Sequence, residues 1–185
     1  MQDFQNHFLI AMPGLDDPMF KRSVAYICEH NEEGAMGIVI NHPISVKVAE
    51  LLQQLEIEFA ADSPVATSHV CAGGPVQNDR GFVLHTPKAG YQSSMQLSDQ
   101  LMVTTSKDIL LDLTTERAPD KFLLALGYAG WTAGQLEQEI ADNSWLIVPA
   151  DNQIIFDVSH AQKWQSATAS IGIKPWQLSV VAGHA

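Results

Sequence analysis

Gly34-Ala35-Met36-Gly37-Ile38-Val39-Ile40-Asn41-His42-Pro43 is the stretch that decides how this chain folds. Two glycines bracket its start, and the β-branched run Ile38-Val39-Ile40 then stops abruptly in Asn-His-Pro. Val and Ile are stiff at χ1 and pack well on a pleated surface, so the run reads as a buried strand. Pro43 has no N–H, holds φ near −65° and pushes His42 towards an extended conformation. The strand therefore delivers an amide, an imidazole and a rigid turn to its carboxyl end, the edge where ligands commonly sit in α/β proteins.

Upstream, Val24 to Cys28 is a second apolar run, and the polar segment Asn31-Glu32-Glu33-Gly34 that separates the two has hairpin length. These strands are expected to be antiparallel neighbours. Phe8-Leu9-Ile10-Ala11-Met12, stopped by Pro13-Gly14, reads as another strand, and Asp16-Asp17-Pro18 opens a helical turn towards Arg22. Downstream, Val48, Leu51, Leu52 and Leu55 share one helical face, with Ser45 as the expected N-cap. Further strands are expected at Val70-Cys71-Ala72, Phe82-Val83-Leu84, Leu101 to Thr104, Phe122 to Leu126, Trp145 to Val148 and Ile154-Ile155-Phe156. Helices are expected after Ser106, Thr132 and Ser159, the last two opened by capping boxes with Gln135 and Gln162. Ser93 to Ser98 reads as irregular, and Val180-Val181 as an edge strand in the tail. The first three strands come without intervening helices, which argues against a regular parallel βαβ sheet. The expected class is α+β: a mixed, bulged, barrel-like sheet flanked by helices, with residues 1–185 as one domain.

The chain is 46% hydrophobic and 17% charged, enough to bury a sizeable core. Its formal charge of −11, from 21 acidic and 10 basic residues, opposes nucleic-acid binding, whose affinity comes largely from neutralised phosphates. No apolar run reaches the ~20 residues of a membrane helix, and the first residues lack the basic start and apolar stretch of a signal peptide, so a cytoplasmic protein is expected. Cys28 and Cys71 lie in apolar runs and read as buried, reduced thiols, with a redox sensor as the alternative.

Three histidines, His30, His42 and His85, each end an apolar run. Three imidazoles would suffice for zinc, but there is no HExxH, no CxxC and no histidine pair at i, i+4. No metal and no cofactor is expected. Gly73-Gly74-Pro75 reads either as a turn or as a turn whose successive N–H groups form an anion-accepting nest, which Arg80 would complete. Gly127-Tyr128-Ala129-Gly130-Trp131 allows close backbone approach before a helix. Glu137 borders the buried side of that helix and has an acid/base role only if it meets His42 or Asn41. Neither a GxSxG elbow nor a supported SxxK nucleophile is present.

Taken together, several segments resemble the AlgH/YqgE proteins of bacteria: Asn6-His7-Phe8-Leu9-Ile10-Ala11-Met12-Pro13, the Gly34 to Pro43 stretch, Gly73-Gly74-Pro75-Val76, Gly81-Phe82-Val83-Leu84-His85, Gly127 to Trp131, Asn143-Ser144-Trp145, and Phe156-Asp157 with Trp164 after. The resemblance covers nearly the whole chain in order. It implies a compact fold with a bulged, barrel-like sheet flanked by helices, and a cytosolic protein of unestablished biochemical activity. The family name comes from a regulatory association with alginate production, and some members are called transcriptional regulators. Its motif positions in this sequence are Asn41, His42, Gly73, Gly74, Pro75, His85, Trp131 and Asn143.

The resulting expectation is a regulator or adaptor that binds a small anionic ligand or a protein partner. Its surface would join Asn41-His42-Pro43 to Gly73-Gly74-Pro75, with Trp131 alongside. The rival is an enzyme using His42 or His85 as general base, oriented by Glu137 or Asn41.

Overall fold

A computed structural model describes residues 3–173 and Leu178; the strand expected at Val180-Val181 lies outside the described residues. Ten strands and five α-helices are found among them. The strands are β1 (His7–Ala11), β2 (Val24–Asn31), β3 (Gly34–Val39), β4 (Pro43–Lys47), β5 (His69–Ala72), β6 (Val76–His85), β7 (Ser94–Ser98), β8 (Leu101–Thr104), β9 (Phe122–Thr132) and β10 (Trp145–Pro149). The helices are α1 (Val48–Gln54), α2 (Asp108–Asp112), α3 (Gln135–Ala141), α4 (Asn152–Phe156) and α5 (His160–Ala169).

The sheet runs β10-β1-β2-β3-β9-β6-β8-β7, each pair antiparallel, and curls into a half-barrel. The first expectation holds: β2 and β3 form an antiparallel hairpin, and Ile38, Val39 and Ile40 are fully buried. Strand β9 is the hub. Its first half pairs with β6 on one side and runs parallel to Cys71-Ala72 of β5 on the other, whereas Ala129 to Thr132 pair with β3. The change of partner occurs at Gly127, whose φ of 75° lies where only glycine is comfortable.

Alternation along the strands feeds two apolar layers, as a side-chain period of two requires. Phe8, Ile10, Val24, Tyr26, Ile38 and Ile40 point into the hollow of the curl, where Ile154 and Ile155 of α4 and Trp164 and Ala167 of α5 fill it. Leu9, Ala11, Ala25, Ile27 and Val39 point the other way and pack with Trp131, Trp145 and Leu136 of α3. A third cluster seats α1 and α2 on Val83 and Leu124. No helix of the described residues is long and apolar enough to cross a membrane.

Three local expectations change. Ile154-Ile155-Phe156 is helical, because Asp151 accepts the Gln153 N–H at 2.8 Å and caps a turn whose two isoleucines face the core. Ser94–Ser98 is a strand; its polar residues suit an edge, where β8 is its one partner in the sheet. Ser45 lies within β4, paired to β5, so the helix starts later, with Lys47 at the N-cap and Glu50 accepting its N–H at 3.1 Å.

Candidate functional site

Asn41 and His42 leave the end of β3 in a segment bonded on both flanks: the Ile40 N–H donates to Val24 and the Ala72 N–H to the His42 carbonyl. From there both side chains reach the turn before β2. Asn41 accepts the Val24 N–H at 2.8 Å and donates to the Arg22 carbonyl at 2.8 Å. Burial pulls the His42 imidazole below its usual range, against the opposing backbone carbonyls of Lys21, Met19 and Arg22. The turn is fixed from its other end by Asp17, which accepts the Met19 and Phe20 N–H groups. Arg22 emerges at φ 55°, left-handed backbone that costs an L residue with a Cβ free energy, and its guanidinium lies 5.0 Å over the Trp164 ring. Backbone strain of this kind persists only where surrounding bonds over-determine it, and here Asn41 supplies two of them.

Helix α5 closes the site. His160, in its first turn, lines a cavity of about 450 Å³ together with Arg22, Asn41, His42, Ala161, Trp164 and Gln165. Behind His160, the Lys163 side chain is almost wholly buried; its Nζ donates to the Ile40 carbonyl at 3.0 Å and lies 3.3 Å from His160 Nδ1. Burial pushes this ammonium down to about 8. Cys71 Sγ lies 3.7 and 3.9 Å from the two ring nitrogens of His160. Near-equal distances place the sulfur off both lone-pair directions, and burial pushes the thiol up to about 11. A thiol so placed is not an activated nucleophile. Cys28, also buried, is pushed up to about 12 by burial and then by Glu29.

The cavity wall carries Arg22, His42 and His160 and no carboxylate, in a chain of net charge −11. A larger groove, about 1310 Å³, opens elsewhere, but Asp99, Asp120, Asp151 and Asp157 line it with negative charge. Among the described residues no group of three or more metal-ligating side chains is found.

The other sequence candidates lie apart. A Cβ on Gly74 would sit 2.0 Å from the Tyr128 carbonyl carbon, and one on Gly73 2.2 Å from the Gly127 oxygen. The two glycines thus let β5 cross β9 at close range; the Gly73 N–H goes to Leu126 and its carbonyl to Val39. Pro75 is exposed at the end of this crossing. Arg80 binds Gln77 and Thr105 and covers Phe82. His85 is fully buried, one nitrogen bonded to the Thr86 carbonyl and the other to the Thr104 hydroxyl at 2.7 Å. Trp131 belongs to the second apolar layer, where its indole and that of Trp145 both donate to Glu139, at 2.9 and 2.8 Å. Asn143 ends α3 in left-handed conformation. Glu137 meets neither Asn41 nor His42 but accepts from His30 at 2.8 Å; the Phe4 N–H occupies the other nitrogen of that ring.

Of the predicted set, then, the cavity unites Asn41 and His42 alone, and adds Arg22, His160 and Trp164, with Lys163 buried behind His160. The i, i+3 spacing of His160 and Lys163 after a capping serine was a readable sign that they share a helix face. Their meeting with Ile40, more than a hundred residues earlier, had no local sign.

Residues 8–176 match the family model described as AlgH-like. The chain is 57% identical over 185 residues to a UPF0301 protein of Pseudoalteromonas translucida and 54% identical over 188 residues to one of Shewanella oneidensis, with both chains fully covered in each case. The fold is similar to the solution structure of the AlgH protein from Pseudomonas aeruginosa, with TM-score 0.81 and 45% identity, covering 100% of this chain and 97% of that one. A crystal structure of a Corynebacterium diphtheriae protein shares the fold at TM-score 0.75 and 20% identity, covering 97% and 93%. The motifs read from the sequence, the curled sheet and these matches agree, and the chain belongs to the AlgH-like family.

Proposed function

We propose that this protein is a cytoplasmic binding module, in a regulatory or adaptor role, whose ligand is a small anion seated between Arg22, His42, His160 and Trp164. The observation that carries the reading is Arg22: a strained arginine, its carbonyl held by Asn41, its guanidinium over Trp164 at the mouth of a cavity without carboxylates. A cavity of about 450 Å³ is of the size that small ligands occupy, and a planar guanidinium fork matches phosphate or carboxylate. Asn41 spends its amide on the turn, so it positions Arg22 rather than touching the anion.

The test is an amide NMR titration of the labelled protein with pooled phosphorylated metabolites and carboxylates, repeated on Arg22→Gly. Glycine suits the left-handed backbone, so the variant keeps its fold. Loss of a charged hydrogen bond, about 1.5–3 kcal/mol, weakens binding roughly 10- to 100-fold. Shifts are expected at Arg22, His42 and His160. A lack of response to any anion, or equal affinity in Arg22→Gly, would refute the reading, and the former would turn attention to a protein partner.

A further inference from the structure

His160, Lys163 and the Ile40 carbonyl form a closed triangle: Lys163 Nζ to carbonyl 3.0 Å, His160 Nδ1 to carbonyl 3.2 Å, Lys163 Nζ to His160 Nδ1 3.3 Å. Nδ1 lies within reach of both the Lys163 ammonium, which can only donate, and the Ile40 carbonyl, which can only accept, so a neutral ring satisfies one of the two at a time. If the ring gains a second proton, Nδ1–H turns to the Ile40 carbonyl and two cations lie 3.3 Å apart inside the protein. The groups packed around do not offset that charge. From β5 come the neutral thiol of Cys71 and, at longer range, His69; from the turn before β2, the cation Arg22; from the end of β3, His42. No carboxylate pairs with Lys163 or Arg22 among the described residues. Burial first, and then Lys163 and His69, accordingly hold the His160 imidazole below its usual range against the Ile40 carbonyl.

An anion in the cavity changes this balance. We propose that the anion site takes up its ligand together with one proton, which the His160–Lys163 pair holds, so that the preferred ligand is a dianion of the phosphomonoester class. This rests on the reading of the cavity as an anion site. Empty, the pair shares a single positive charge; occupied, it carries two, which with Arg22 surround a doubly charged group on the open side of His160. The proton needs no second reactant, since solvent supplies it. Coupled groups of this kind titrate as a pair, so the linked proton belongs to both.

The sign is definite. Proton uptake on binding makes affinity rise as pH falls through the window between the pair's proton affinity when empty and when occupied, with a limiting slope of about tenfold per pH unit for one proton. Inorganic sulfate is the probe, because it stays a dianion throughout, and glycerol phosphate, a phosphomonoester, is titrated beside it. The sulfate dissociation constant is measured by NMR titration of the full chain from about pH 6 to 8.5 at constant ionic strength, with the histidine ring resonances followed in the same samples. The expected result is an affinity falling up to tenfold per pH unit, and a His160 ring signal that moves towards the imidazolium position when sulfate is added. In His160→Gln, which keeps a polar side chain on the cavity wall, sulfate binds with little pH dependence. A flat profile in the unmodified protein overturns proton-linked binding and leaves the anion site standing. A pH dependence that survives in the double variant His160→Gln, Lys163→Met assigns the proton outside the pair, to His42, and also overturns it. Failure of both sulfate and glycerol phosphate to bind at any pH overturns this inference and the anion site together.

Discussion

Replacing Gly127 by alanine tests the claim that the glycines of this fold serve a crossing of backbones. Gly127 has φ 75°, and a Cβ built on it would lie 2.4 Å from the Gly74 oxygen and 3.0 Å from the Val76 oxygen. Gly134 has the same φ of 75°, yet nothing lies within 4 Å of its Cβ position. Both substitutions carry the left-handed penalty of an L residue, about 1–2 kcal/mol. Only Gly127→Ala adds overpacking against main chain that cannot rotate away, about 1–3 kcal/mol more. The totals are roughly 2–5 kcal/mol for Gly127→Ala and roughly 1–2 for Gly134→Ala, against a whole-domain stability of about 5–15 kcal/mol. At about 2–4 °C per kcal/mol for a chain of this length, Gly127→Ala melts roughly 4–20 °C below the unmodified protein and Gly134→Ala roughly 2–8 °C below. Thermal and urea unfolding followed by circular dichroism measure both. Equal losses would refute the crossing as the reason for Gly73, Gly74 and Gly127. A Gly74→Ala protein that melted normally but lost anion binding would restore the nest at Gly73-Gly74-Pro75.

Two further outcomes are expected. With thiols pushed up to about 12 and about 11 in buried surroundings, Cys28 and Cys71 react with an aromatic disulfide reagent only on unfolding; stoichiometric labelling of the native protein would revive the redox-sensor alternative. Glu139→Ala leaves the indole N–H groups of Trp131 and Trp145 without their shared acceptor, a loss of roughly 2–4 kcal/mol in urea unfolding, whereas Glu137→Ala, whose partner His30 keeps the Phe4 N–H, loses less; the reverse order would contradict the packing of α3.

Local residue patterns already specify the class and much of the strand content. Ile38-Val39-Ile40, stopped by Asn41-His42-Pro43, reads as a buried strand because burial on both faces demands a continuous apolar run, and the Asn31 to Gly34 segment is short enough to force a hairpin. The helices expected after Thr132 and Ser159 form, but without the expected capping boxes. Helix α3 has Gly134 at its N-cap, and neither helix has a side-chain cap bond there, while Gln135 accepts the Thr132 N–H and Gln162 the Ser159 hydroxyl. The helix at Ile154-Ile155-Phe156 was not legible, because three apolar residues carry no period and only the Asp151 cap separates strand from helix. Asn41 and His42 are unusual side chains at a strand end. What they do depends on the turn they face: Asn41 spends its amide on Arg22 and Val24, whereas the His42 ring also lines the cavity. Gly73 and Gly74 have the sequence of an anion nest and the surroundings of a close crossing; the difference is Gly127, over fifty residues away. That α5 fills the hollow of the curled sheet and brings His160 and Lys163 onto the Ile40 carbonyl follows from long-range packing alone. A local pattern encodes which face of an element is apolar, whereas the meeting of charges from distant segments is set by how the curled sheet closes upon the helices that fill it.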